Sequence, residues 1–373
     1  MLTEHLSYVA DAVRLEHYRT AIHQTLPADA SVADLGCGSG VLGLLCLEAG
    51  AGHVFAIDDS AILDVARTAL QRAGYGERAS FIRGTSSQID LPHKVDMVIC
   101  DHVGYFGFDY GIVGFLEDAR KRMLKPGGTL IPSRIRLNLA AVGSRLCDEL
   151  ANAWQADNIP PAFHWLRGHT VNTKHAVMLE PADLLCPPAV LGDIDLYADQ
   201  PGFISWSTEL HIERDGVVHG LGGWFSCELA EGVWMTNSPL TEQPIRRNQA
   251  FLPIEKAVPV RAGDRVKATI MVRPGEHLLA WIVEFPATGQ RFSHSTWQGQ
   301  FLTPAQLLQA SPQRVPQLGR TGRATAAVLA CCDGQRTVEQ IQATVLRDHP
   351  DLFPTSGEVS DFVTKVLGRD CEP

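Results

Sequence analysis

Three glycines at alternate positions, Gly36, Gly38 and Gly40, separate two apolar runs in VADLGCGSGVLGLLCLEAGAGHVFAIDDS, residues 32–60. The first run, Val32 to Leu35, reads as a buried strand. The spacing then turns helical through Val41, Leu42, Leu44, Leu45 and Leu47. A second apolar run, His53 to Ile57, ends in Asp58. Glycine lets a chain turn sharply and presents bare backbone to a ligand, because no Cβ intervenes. An acidic residue closing the next strand, about 20 residues on, is placed to accept hydrogen bonds from a ribose diol. Strand, loop, helix and distal carboxylate together predict a nucleoside-cofactor site on a Rossmann-like βαβ unit. Its expected lining is Gly36, Cys37, Gly38, Gly40, Asp58 and Asp59.

The dinucleotide fingerprint is G-x-G-x-x-G, whereas the spacing here is G-x-G-x-G with Asp34 two residues ahead. That pattern resembles motif I of the S-adenosylmethionine-dependent methyltransferases, in which the loop meets an amino-acid moiety. A pyrophosphate at the helix N-terminus would be opposed by the nearby Asp34 carboxylate. An NAD-linked enzyme is therefore the less favoured reading.

The chain has 373 residues, 45% of them hydrophobic, enough for two or three domains. A net charge of −10 argues against general nucleic-acid affinity, which needs clustered positive charge. The nine cysteines are odd in number and show no C-x-x-C or Cys/His spacing, so reduced thiols are expected, with no disulfide frame and no metal site. Cys331 and Cys332 read as consecutive helix residues, with a redox pair as the less favoured reading. The N-terminal MLTEHLSYVADAVR has no apolar core of a signal peptide, and no run approaches the ~20 residues of a membrane span, so a cytoplasmic protein is expected.

Helical spacing covers residues 7–26, with Pro27 at the exit. Strand and helix then alternate: helix 61–73, strands 79–82 and 95–100, helix 112–123, and strand 129–131 after the turn Lys125-Pro126-Gly127-Gly128. This order predicts a doubly wound α/β domain over residues 1–133. From 134 to 302 short alternating runs such as Trp224 to Glu228 and Arg265 to Val272 predict a β-barrel or sandwich, with an insertion around 146–200 suited to dimerisation or to covering the substrate. Residues 303–373 turn helical again, over 324–332, 337–347 and 359–367.

From about residue 5 to 300 the chain resembles the protein arginine methyltransferases, a family with a Rossmann-like domain followed by a β-barrel. His5, Asp11, Arg14 and Tyr18 match the spacing of that family's cofactor-covering helices. The resemblance implies S-adenosylmethionine as cofactor, with Arg14 on its carboxylate, Asp34 in motif I and Asp58 on the ribose. Gly84-Thr85-Ser86-Ser87 falls on the adenine segment, Ser87 standing where the family has a glutamate. The acceptor loop S-E-W-M-G-Y, followed by a second glutamate, corresponds to Cys100-Asp101-His102-Val103-Gly104-Tyr105 through Asp109-Tyr110. Asp101 takes the first glutamate's position and Tyr110 the second's, with Asp109 one residue off. His102 replaces tryptophan and is a candidate base. These four are the expected catalytic residues, and Tyr105 an acceptor contact. In the barrel, the family's histidine and tryptophan are replaced by Arg246 and Arg247, suited to an acceptor carboxylate or phosphate.

The resemblance implies a homodimer, a peptide or small-molecule acceptor and transfer to nitrogen. Transfer to oxygen with His102 as base, and a non-catalytic peptide-binding scaffold, stay open. Leu318 to Gln342 is similar to the helical half of the PqqD-like peptide-recognition domains of natural-product biosynthesis, although a plain helical cap is also consistent.

Overall fold

The strand, loop and helix expected around Gly36 are present in the computed structural model, which describes residues 2–353 and 355–371. After α1 (Leu2–Val9) and α2 (Ala12–Thr25) come β1 (Ser31–Leu35), α3 (Val41–Glu48), β2 (His53–Asp58), α4 (Leu63–Arg72), β3 (Ala79–Arg83), β4 (Val95–Cys100), α5 (Ile112–Arg122) and β5 (Leu124–Ile131). The strands form a parallel sheet in the order β3-β2-β1-β4-β5. Every residue of β1 is buried, as a strand covered on both faces requires. The order reverses between β1 and β4. A crevice opens at the carboxyl ends of the strands at such a point, and there the chain places Gly36, Asp58 and Asp101 at the ends of β1, β2 and β4.

Two expectations need correction. The single helix over 7–26 is two helices, because Asp11 leaves helical geometry at φ −82° and ψ 87° and accepts the Arg14 N–H at 3.1 Å. An N-cap starts a new helix at that point. The last parallel strand begins at Leu124, which pairs with Val95, and not at Thr129; a register shift absorbs the intervening turn.

The second half is antiparallel. It contains β6 (Arg134–Val142), α6 (Arg145–Asn152), α7 (Arg167–Thr170), β7 (His175–Val177), β8 (Ala189–Asp195), β9 (Ile204–His211), β10 (Gly216–Ala230), β11 (Val233–Thr236), β12 (Gln249–Val260), β13 (Arg265–Arg273), β14 (Leu278–Phe285) and β15 (Gln290–Ser295). One sheet runs β7-β12-β10-β6-β8 with β11 on β10, and the other runs β15-β14-β13-β9. Trp224, Phe225, Phe251 and Trp281 are buried in its core. The segment 146–200 opens with helical turns, then supplies β7 and β8 to the barrel sheet.

The α/β and β halves form one compact unit, Met1–Phe301; Leu302–Pro373 is another. The latter holds α8 (Pro304–Gln309), α9 (Arg320–Ala330), α10 (Val338–Asp348) and α11 (Ser356–Asp370). Its own core joins Ala324, Val328, Ile341, Val345, Val359, Val363 and Val366. Because α9 stops at Ala330, Cys331 and Cys332 are not consecutive helix residues: the first is buried, and the second is exposed with its Sγ 3.5 Å from that of Cys371. Among the described residues no helix is long and apolar enough to cross a membrane.

Candidate active site

The glycine loop works through its backbone. Gly36, Gly38 and Gly40 have φ of +61°, +54° and +79°, in the left-handed region that side chains disfavour. A Cβ on Gly36 would lie 1.8 Å from the His102 ring, and one on Gly38 would lie 3.1 Å from the His5 ring. Gly40 begins α3 without a side-chain cap. That task falls to Asp34, whose Oδ2 accepts the Gly43 N–H at 2.8 Å. Burial raises the Asp34 carboxyl to about 7, against the pull of the Gly43 N–H and Arg14. Cys37 donates its N–H to the Ile57 carbonyl, closing the loop onto β2, and burial pushes its thiol up.

Asp58 holds the loop from the other side. Its Oδ2 accepts the Gly38 N–H at 2.9 Å, and its Oδ1 accepts the Ser60 N–H and hydroxyl at 2.9 and 2.6 Å. A carboxylate has about four lone-pair sites, so one on Oδ2 is left for a ligand hydroxyl. A cavity of about 200 Å³ is lined by Arg14, Asp34, Gly36, Gly38, Asp58 and His102, among others. A neighbouring one of about 90 Å³ is lined by Asp58, Asp59, Gly84, Thr85, Ser86 and Phe115. The two share Gly36, Asp58 and His102. This shape, a glycine cradle with a carboxylate at its middle, fits an amino-acid arm at one end and a nucleoside at the other. Ser87 lines neither cavity, although Ser86 does.

Beside the glycine loop, the loop after β4 carries a clamped carboxylate. Asp101 accepts Arg14 Nε at 2.6 Å, Arg247 Nη2 at 2.9 Å and Nη1 at 3.4 Å, and the Tyr18 hydroxyl at 3.0 Å. All three charged side chains are nearly buried, at 11% exposure for Asp101, 4% for Arg14 and 10% for Arg247. Burial alone would push the Asp101 carboxyl up. Arg14 and Arg247 outweigh it and hold the group well below the usual carboxylate range. Arg247 is raised in turn, because Asp101 overcomes the desolvation that would lower it. Burial raises the Tyr18 hydroxyl well above its ordinary value, and Asp101 adds to the shift.

His102 sits in the seam between the two cavities, its Nδ1 3.5 Å from Cys100 Sγ and its ring edge-on to Phe115. Desolvation lowers its pKa below the ordinary 6.5, against the pull of Asp101, so the imidazole is neutral near pH 7. Asp109 has a different task from Asp101. Its Oδ2 accepts the Tyr105 N–H at 2.9 Å and the Phe106 N–H, and its Oδ1 pairs with Lys174. It lines neither of the two cavities around Asp58; its carboxylate shapes the loop. Tyr110 is half exposed and lines both the larger of those cavities and an adjoining pocket with Tyr105, Arg246 and Arg247.

The barrel fixes this loop in place. Phe106 packs on Gly223 of β10, where a Cβ would come within 2.4 Å of the ring. Asn237 donates to the Tyr105 carbonyl at 2.9 Å, and Gln249 donates to the Asn237 carbonyl at 2.6 Å. The Arg246 N–H donates to Asp11 Oδ2 at 2.7 Å, tying the barrel turn to the cap of α2. Sequence reasoning missed Asn237, Gln249, Lys174 and the Tyr18 contact with Asp101. Only Tyr18 carried a usable signal, since i and i+4 share a helix face with Arg14.

Comparison with known proteins agrees with this geometry. A methyltransferase-domain family model matches residues 32–128. Protein arginine N-methyltransferase 1 of Schizosaccharomyces pombe is 28% identical over 293 residues, covering 73% of this chain and 82% of that protein. The arginine N(omega)-methyltransferase of Streptomyces achromogenes subsp. streptozoticus is 30% identical over 272 residues, covering 70% of this chain and 73% of that protein. In fold, the chain superposes on a protein arginine methyltransferase enzyme–prozyme heterotetramer with AdoHcy from Trypanosoma brucei at a TM-score of 0.71 and 21% identity, covering 79% of this chain and 98% of that one. The parallel sheet, the glycine cradle, the barrel and these relatives agree, and the chain belongs to the arginine methyltransferase family of S-adenosylmethionine-dependent methyltransferases.

Proposed function

We propose that this chain methylates a nitrogen of a peptide or small-molecule acceptor at a site altered from an arginine clamp. The observation that carries this reading is the Asp101 carboxylate, set beside the glycine cradle but already bound by Arg14, Arg247 and Tyr18. Bound S-adenosylmethionine supplies a methyl group already activated on a sulfonium. The protein's contribution is alignment and proton handling. Gly36 and Gly38 offer backbone to the amino-acid arm and Arg14 a guanidinium to its carboxylate, while Asp58 faces the ribose and Gly84 to Ser86 the adenine. His102, kept neutral by burial, is the base within the same cavity that can take the proton the acceptor loses. The same neutral imidazole supports the second reading, transfer to a hydroxyl.

The name of the Streptomyces relative puts its reaction on an arginine nitrogen. A guanidinium acceptor here would have to displace Arg247 from Asp101. Titration calorimetry with S-adenosylhomocysteine, followed by transfer of labelled methyl to arginine-rich peptides and to a small-molecule fraction, tests the reading. Labelled small molecule or peptide nitrogen is expected, and absence of any cofactor heat would overturn it.

We further propose a homodimer. Leu146, Phe163 and Trp165 stand 75%, 49% and 60% exposed on the insertion, large apolar side chains that a second copy would cover. Sedimentation at several concentrations checks it, and a monomer throughout rejects it. Leu302–Pro373, with a core of its own, supports a separable module, for which peptide recognition is the reading to test with a candidate leader peptide.

A further inference from the structure

Beside the cofactor cavity lies a second pocket of about 200 Å³, with Tyr8, Gly104, Tyr105, Tyr110, Arg246 and Arg247 in its walls. Tyr8 and Tyr110 line both spaces, so this pocket adjoins the cavity that Asp101 lines. We propose that it selects a small acceptor bearing a carboxylate, recognised by Arg246 and Arg247. This inference rests on the methyltransferase reading of the same site and narrows its substrate class.

The first support is saturation of Asp101. An ionised carboxylate has about four lone-pair sites. Asp101 receives four donors: Arg14 Nε and Arg247 Nη2 on Oδ2, Tyr18 hydroxyl and Arg247 Nη1 on Oδ1. An incoming guanidinium or ammonium finds no lone pair there. Arg247 already occupies the position such a cation would take, and its guanidinium is held by Asp101, by the Gly104 carbonyl at 3.4 Å and over the Tyr8 ring at 5.6 Å.

The second support is charge. Among its described lining residues the pocket has two arginines and no aspartate or glutamate. The second carboxylate that could hold a cation, Asp109, is spent on the loop backbone and Lys174. At Asp101 two guanidiniums, Arg14 and Arg247, share one carboxylate, which leaves a positive excess beside the pocket. A cationic acceptor is repelled by this excess, and an anion is drawn to it. Arg246 is exposed on the rim while its backbone is pinned by Asp11, which suits it to meet a carboxylate at the mouth. The tyrosine walls and the volume favour a small, flat body behind that group.

The test uses two probes of nearly equal shape and opposite charge, benzoate and benzamidine, titrated into the full-length protein loaded with S-adenosylhomocysteine. Benzoate is expected to bind about tenfold more tightly or better, a gap of about 1.4 kcal/mol. Arg246→Ala, a rim change that leaves the buried cluster intact, is expected to weaken benzoate about threefold or more. Arg247→Ala uncovers Asp101 and is expected to reverse the order of the two probes. Equal binding, tighter benzamidine, or binding of neither probe in the natural protein would overturn the carboxylate assignment. The S-adenosylhomocysteine heat in the first titration is read separately. Its absence overturns the methyltransferase reading, whereas its presence without a charge preference overturns only the present inference.

Discussion

The cofactor wall and the acceptor wall of the crevice meet at Tyr8 and Tyr110 yet are made of different materials. On the cofactor wall, backbone predominates: left-handed glycines, the Gly38 N–H on Asp58, and the Cys37 N–H on the neighbouring strand. On the acceptor wall, long charged side chains converge from α2, the loop after β4 and the barrel turn before β12, and their mutual pairing sets the charge of the pocket. A backbone cradle accepts few residue types, so its chemistry is hard to change. A side-chain cluster can be recharged by one or two substitutions while the fold stays the same. The family's cofactor chemistry and a different acceptor are therefore compatible in one molecule.

The strongest break of this contrast is Asp101→Asn. Removing the charge leaves Arg14 and Arg247 nearly buried and facing each other. Loss of one partner of a buried ion pair costs about 3–5 kcal/mol, and a fall of that order is expected in denaturant unfolding. A loss below ~1 kcal/mol would mean that the cluster is solvated and does not define the pocket.

Asp34 sharpens the cofactor side. Its carboxyl is raised by burial from 3.8 to about 7, so the folded protein holds a proton that the unfolded chain has released above about pH 4. Stability from this group is then lost as pH rises from about 4 to about 7, by roughly 2–4 kcal/mol. Asparagine at this position still accepts the Gly43 N–H but cannot ionise. Asp34→Asn is expected to match the natural protein near pH 4 and exceed its melting temperature increasingly up to pH 7. Parallel pH curves for the two proteins would contradict this.

How much of this was legible in the sequence follows the same division. Gly36, Gly38, Gly40 and Asp58 could be read because their spacing is itself the structural requirement. The barrel showed in alternating runs such as Arg265 to Val272, which became β13. Arg14–Asp101–Arg247 joins residues 87 and 146 positions apart, and no local pattern records that they meet. Asp109 lies one residue from Tyr110, and only the loop's curl, with Gly104 at φ +63°, turns its carboxylate onto the backbone. Lys174 reaches it from an insertion that carries no motif.

Gly36→Ala tests the backbone side at intermediate size. A Cβ there meets the His102 ring at 1.8 Å, with φ at +61°. The ring can swing aside, so the cost is the strained φ plus a displaced wall, about 1–2 kcal/mol. An S-adenosylhomocysteine affinity weaker by about tenfold, with the benzoate preference retained, is expected in calorimetry. Unchanged affinity would remove the glycine cradle from cofactor binding.

The smallest effect expected is at Ser87. It does not line the cavity proposed for the adenine, and the short helical turn at Ser86–Gln88 is held from behind by Arg122, which donates to the Ser86 carbonyl at 2.7 Å and the Ile89 carbonyl at 2.8 Å. The wall of this cavity thus keeps its shape without the Ser87 hydroxyl. Ser87→Ala is expected to change S-adenosylhomocysteine affinity by less than about twofold, within ~0.4 kcal/mol. The partner experiment is Arg122→Ala, which loosens the turn itself and should weaken binding more than Ser87→Ala does. If the order were reversed, adenine recognition would depend on a side chain, and the cofactor wall would be as open to recharging as the acceptor wall.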